Sequence, residues 1–170
     1  MESESARMAS AAEAKFRIDA PNSKPRAIKI IALDPPSEQV VKQLAQSRWN
    51  GATFFTASAF AGKPRRTGPF SMDGWLSDLA GRTKNLIDEI DTADHVLMVA
   101  TAGENAEAAA IIGEACHVKH VMTAAVVLGS GSKSEQTVSK TLAQLRPHVM
   151  MLVIPSADEY VADMLMALHA

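Results

Sequence analysis

Four short apolar runs, each followed by a polar turn and a helix-like stretch, constrain this chain more than any other feature. They are Ile28-Lys29-Ile30-Ile31-Ala32-Leu33, Val96-Leu97-Met98-Val99-Ala100, Val121–Leu128 and Val149–Ile154. A strand wetted on one face alternates apolar and polar residues. A strand covered on both faces has no need to, and continuous apolar runs of this length belong to parallel sheets with helices above and below. Thr53-Phe54-Phe55-Thr56 is a fifth segment of the same β-branched and aromatic type.

The stretches between these runs read as helices. Pro35-Pro36 ends the first strand, Ser37 is placed to cap the next helix, Val40, Val41 and Leu44 share its inner face, and Asn50-Gly51 closes it. Met72 to Asp91 reads as a second helix, with Leu76, Leu79, Leu86 and Ile90 among its apolar positions. Ala106–Cys116, Ser134–Leu145 and Ala157–Leu168 follow, with Ser134–Leu145 placed after the flexible turn Gly129-Ser130-Gly131-Ser132 and ended by Pro147. Strands alternating with helices pair in parallel through right-handed crossovers. The expected fold is therefore α/β: a three-layer, doubly wound, mostly parallel sheet of about five strands, Rossmann-like in kind.

A chain of 170 residues fits one such domain. Residues 1–26 are rich in Ala, Ser, Glu and Lys, with Pro21 and Pro25, and are expected to form a mobile arm; residues 27–170 form the domain. The formal net charge of −2 gives no field that would favour nucleic acid or an anionic membrane. Apolar runs fall short of the roughly 18 residues a spanning helix needs, and the acidic start Met1-Glu-Ser-Glu lacks the apolar core of a secretion signal. A single cysteine, Cys116, excludes an internal disulfide. A cytoplasmic protein without nucleic-acid or membrane partners is expected.

Ligands of doubly wound sheets sit at the carboxyl ends of the strands, where strand order reverses. That edge is furnished by Asp34–Glu38, by the long Gly- and Pro-rich connection Ser58–Ser71 with Lys63, Arg65 and Arg66, by Thr101–Asn105, by Gly129–Ser132 and by Pro155–Asp158. The candidate ligand-binding residues are Asp34, Ser37, Arg65, Arg66, Thr101, Gly103, Asn105 and Asp158. Arg65 and Arg66 are of the type that clamps a phosphate, and helix N-termini there receive anions. Against a standard nucleotide site stands the first turn: it has Pro35-Pro36 in place of glycines, flanked by Asp34 and Glu38. Cys116-His117-Val118-Lys119-His120 brings a thiol and two imidazoles together. These residues end a helix and need not share a face, so no metal site is assigned, and no catalytic residue or cofactor is named.

The strings Ile28-Lys29-Ile30-Ile31-Ala32, Asp94-His95-Val96-Leu97-Met98-Val99-Ala100-Thr101-Ala102-Gly103, Ala124-Ala125-Val126-Val127 and His148–Asp158 resemble, in this order, the nucleotide-binding half of the FtsZ and tubulin family. The resemblance touches most of Ala27–Leu168 and implies a Rossmann-like core. It does not imply that family's chemistry. The family's glycine-rich phosphate loops correspond here to Asp34–Glu38 and to Gly103-Glu104-Asn105-Ala106-Glu107-Ala108, and its second half has no counterpart in these residues. GTP hydrolysis by that mechanism is not expected, and no family site residue transfers.

Three functions follow as expectations. The first is a domain that binds a small molecule or anion, phosphorylated or not, at the carboxyl edge. The second is a non-catalytic protein-interaction or assembly module derived from a nucleotide-binding fold, with self-association left open. The third, weaker, is an enzyme acting on phosphosugars.

Overall fold

The structure, a computed structural model, describes residues 26–58, 75–155, 157, 160–168 and 170. Its strands are β1 (Ile28–Ala32), β2 (Ala52–Thr56), β3 (Trp75–Asp78), β4 (Thr83–Asn85), β5 (His95–Thr101), β6 (Met122–Leu128) and β7 (Met151–Val153). Its α-helices are α1 (Pro35–Leu44), α2 (Leu86–Asp91), α3 (Ala108–Lys119), α4 (Glu135–Leu145) and α5 (Tyr160–Ala167). The strands form one seven-stranded sheet in the order β4-β3-β2-β1-β5-β6-β7. β2, β1, β5, β6 and β7 are parallel, and β3 and β4 are added antiparallel at one end.

The alternation of the strands sorts the apolar residues into two cores. Ile31, Leu33, Phe55, Met98, Ala125 and Val127 face one way, against Leu86, Ile90, Ile112, Leu142 and Leu145 of α2, α3 and α4. Ile28, Ile30, Leu97, Val99, Ala124 and Val126 face the other way, against Val41, Val161 and Leu165 of α1 and α5. Both faces of β1, β5 and β6 are thus dry, which is why their sequences are apolar without alternation. The result is the three-layer, doubly wound α/β fold expected of the sequence. Counting only the parallel strands, the order is second, first, third, fourth, fifth. The chain leaves β1 in one direction and returns to its other side, so the topological switch lies between β1 and β5.

The helix expected over Met72–Asp91 is replaced by the β3–β4 hairpin and the short helix α2, so the sheet has seven strands instead of about five. Asp78 makes the turn: its carboxylate accepts from the backbone N–H groups of Ala80 (3.0 Å) and Arg82 (2.8 Å) and from Arg82 Nε (2.7 Å). Gly81 supplies the positive φ of +82° that this turn needs. The apolar spacing that suggests one helix is divided between the two sides of the sheet. Leu79 packs into the core of α1 and α5, and Leu86 and Ile90 into the other. Asn85 then starts α2 by accepting from Ile87 N at 2.9 Å.

Two helix boundaries also differ from expectation. Asp34, not Ser37, is the N-cap of α1, and Pro35 and Pro36 occupy its first positions, where no N–H is required. α1 ends at Ala45 and not at Asn50-Gly51. Gly51 serves packing instead, because a Cβ there would collide with the carbonyl of Arg26. No helix among the described residues is long and apolar enough to cross a membrane. The proposed arm lies outside the described residues except for Arg26.

Candidate functional site at the carboxyl edge of the sheet

Asp34 follows β1 directly and stands at the switch point. It is 2% exposed and Ser37 is fully buried. The two make a reciprocal cap: Asp34 Oδ1 accepts from Ser37 N at 2.8 Å, and Ser37 Oγ accepts from Asp34 N at 3.2 Å while donating to Asp34 O at 2.9 Å. The second carboxylate oxygen, Oδ2, accepts from Thr101 N at 2.7 Å. One side chain therefore ties the loop after β1 to the last residue of β5, across the crevice where doubly wound proteins admit ligands.

The loop after β5 is closed in the same way from another side. Gly103, at φ +91°, donates its N–H to Thr141 Oγ1 (3.0 Å), and Ala106 donates to Gln144 Oε1 (3.0 Å). Glu107 N donates to Asn105 Oδ1 at 2.9 Å, and Glu107, the N-cap of α3, makes no side-chain cap of its own. A 340 Å³ cleft remains outside this contact, lined by Gly103, Glu104, Asn105, Thr137 and Lys140 together with Thr141 and Gln144. The hydroxyl of Thr101 is buried with no hydrogen-bond partner among the described residues.

Beside the switch point, Glu38 gathers the end of β2. Its carboxylate accepts from Thr56 Oγ1 (3.1 Å) and Ser58 Oγ (2.8 Å) and pairs with Lys42 Nζ at 2.7 Å. The hydrogen bond from Lys42 is the main cause that holds the Glu38 carboxyl below its ordinary range, with the two hydroxyls adding to it against partial burial. Glu38 is thereby committed to residues of its own domain.

Of the candidate residues, Asp34, Ser37 and Thr101 form one hydrogen-bonded group, and Gly103 and Asn105 lie in the adjoining loop. Arg65, Arg66 and Asp158 fall outside the described residues, as does most of the Ser58–Ser71 connection. Sequence reasoning did not find Thr141 and Gln144, whose contacts span 38 residues. One signal existed. Thr141 is a polar residue next to Leu142 on the inward side of an amphipathic helix, and it is 2% exposed.

No known protein family matches the chain, and no curated protein matches it. Several solved structures are similar in chain path, among them the following three. Translation elongation factor SelB of Methanococcus maripaludis, in complex with a GTP analogue, is 9% identical over 85% of this chain, with a TM-score of 0.47; the chain spans 34% of that protein's length. A protein of Burkholderia pseudomallei described as pilus assembly-related is 14% identical over 86% of this chain and 92% of its own, with a TM-score of 0.43. A conserved protein of Enterococcus faecalis is 13% identical over 83% of this chain and 99% of its own, with a TM-score of 0.41. Similarity this slight transfers neither ligand nor partner. Of the resemblance read in the sequence, what the structure shows is the α/β fold with its doubly wound sheet; the FtsZ and tubulin family itself is not shown.

The opposite edge of the sheet carries the sulfur and most of the imidazoles. Cys116, His117, His120, Thr123, His148 and Met150 line part of a 620 Å³ cavity at the amino ends of β6 and β7. Among the described residues, no three His, Cys, Asp or Glu side chains come together closely enough to hold a metal ion. Cys116 is fully buried, and burial pushes its thiol up to about 12. His95, at the start of β5, is 4% exposed, and neither ring nitrogen has a hydrogen-bond partner among the described residues. Burial, aided by the charge of Arg26, lowers its pKa below the ordinary histidine value.

Proposed function

We propose that this domain is a non-catalytic protein-interaction or assembly module built on a nucleotide-binding type of fold. The observation that carries the reading is that three backbone N–H groups of the crevice, those of Thr101, Gly103 and Ala106, already have acceptors within the domain. An anion at a helix N-terminus is held by free backbone N–H groups. Here Thr101 N, Gly103 N and Ala106 N donate to Asp34, Thr141 and Gln144. Pro35 and Pro36 have no N–H to offer, and Asp34 and Glu38 add carboxylates where phosphates would come. Descent from a nucleotide-binding ancestor accounts for the architecture, and the filled crevice for the loss of its ligand. The buried lone thiol is in keeping with a cytoplasmic setting.

A melting screen of the full chain against nucleotides, dinucleotides and sugar phosphates, with and without Mg²⁺, tests this reading. A ligand of the native state at about 100 times its dissociation constant adds roughly 2.7 kcal/mol and raises the melting temperature by several degrees. No such rise is expected with any of these compounds, and a rise with one class overturns the reading.

The 340 Å³ cleft favours a second reading, in which a small anionic or phosphorylated molecule sits beside Gly103 and Asn105 with Lys140 as its cation. Arg65 and Arg66 would then close over it from the Ser58–Ser71 connection. In that case replacing Arg65 and Arg66 together by Ala weakens binding, and unchanged affinity removes the assignment.

A further inference from the structure

We draw no further inference here: the strongest candidate, the 620 Å³ cavity at the amino ends of β6 and β7 that His117, His120 and His148 line, carries none, because no three His, Cys, Asp or Glu side chains among the described residues come together closely enough to hold a metal ion and nothing in the structure shows what covers it.

Discussion

Replacing Asp34 by Ala is expected to cost the fold about 3 kcal/mol. The residue does two separable things. As the N-cap of α1 it accepts from Ser37 N at 2.8 Å, and loss of such a cap costs about 1 kcal/mol, within a range of roughly 0.5–2. Through its other oxygen it accepts from Thr101 N at 2.7 Å. Without it that N–H is left in a largely closed crevice, and an orphaned buried donor costs roughly 1–3 kcal/mol. The two terms together correspond to a melting temperature lowered by roughly 6–12 °C for a domain of this size. Asp34→Asn separates them. The amide oxygen still caps α1, but its NH₂ then confronts Thr101 N–H, donor against donor, so Asn recovers the cap term alone. Urea unfolding followed by circular dichroism measures both variants, with an unchanged slope showing that the unfolded state is not the cause. A cost below about 1 kcal/mol for Ala, or an Asn variant as stable as the wild type, refutes the assignment of Asp34 as a strut. A residue held at a binding site for a ligand behaves the other way, since replacing it commonly leaves stability unchanged or improved.

Three further outcomes follow from buried groups elsewhere. His95 is buried with a lowered pKa, so below its unfolded value of about 6.5 the unfolded chain takes up a proton that the folded chain refuses; stability is full above that pH and falls toward the lowered folded pKa by up to about 1.4 kcal/mol per pH unit. Denaturation between pH 7.5 and about 5 should show this slope in the wild type and lose it in His95→Phe. Lys29, half of a largely buried pair with Glu89 at 3.1 Å and 5.8 Å from the Phe55 ring centroid, predicts an asymmetry: Glu89→Ala costs about 3 kcal/mol by stranding the ammonium, whereas the double variant Lys29→Met with Glu89→Leu is neutral or stabilising in the same assay. Cys116, buried with its thiol pushed up to about 12, should react with a disulfide reagent at pH 8 about a thousandfold more slowly in the native protein than in urea; comparable rates would refute its burial.

How far the sequence could be read depended on whether the deciding contact was local. β1, β5 and β6 were legible because burial on both faces removes nearly every polar residue that would break the pattern, and Lys29, whose ammonium lies over the Phe55 ring and pairs with Glu89, is tolerated near the start of such a strand. The β3–β4 hairpin was not legible. Leu76, Leu79, Leu86 and Ile90 satisfy helical spacing as well as they satisfy two short strands and one helical turn. What decides is the Asp78–Arg82 turn, whose hydrogen bonds are written in ordinary polar residues. Asp34 and Ser37 were both recognisable as capping types, but which of them caps depends on where the chain first turns helical, and the two prolines move that point one turn earlier than a proline-as-breaker reading allows. The closure of the loop after β5 was beyond local reading altogether, since Gly103 and Ala106 find their acceptors on α4.

The same contacts explain why nucleotide binding is not easily built into this crevice. A phosphate loop needs glycines so that backbone can approach and N–H groups so that it can bind. Exchanging Pro35 and Pro36 for glycines would restore two donors, yet it would also loosen the start of α1, leave Asp34 across the crevice and keep Glu38 beside it. Removing Thr141 and Gln144 would free Gly103 N and Ala106 N, at the cost of the contacts that fix α4 against the loop after β5. Each substitution toward binding opens one donor and removes one support. Neither the glycine exchange nor the Thr141→Val, Gln144→Leu pair is therefore expected to gain measurable affinity for a nucleotide alone. Asp34 remains the obstacle in both. Its carboxylate repels the phosphate while holding the loop that would have to receive it, so the crevice and the stability of the domain are coupled through one residue.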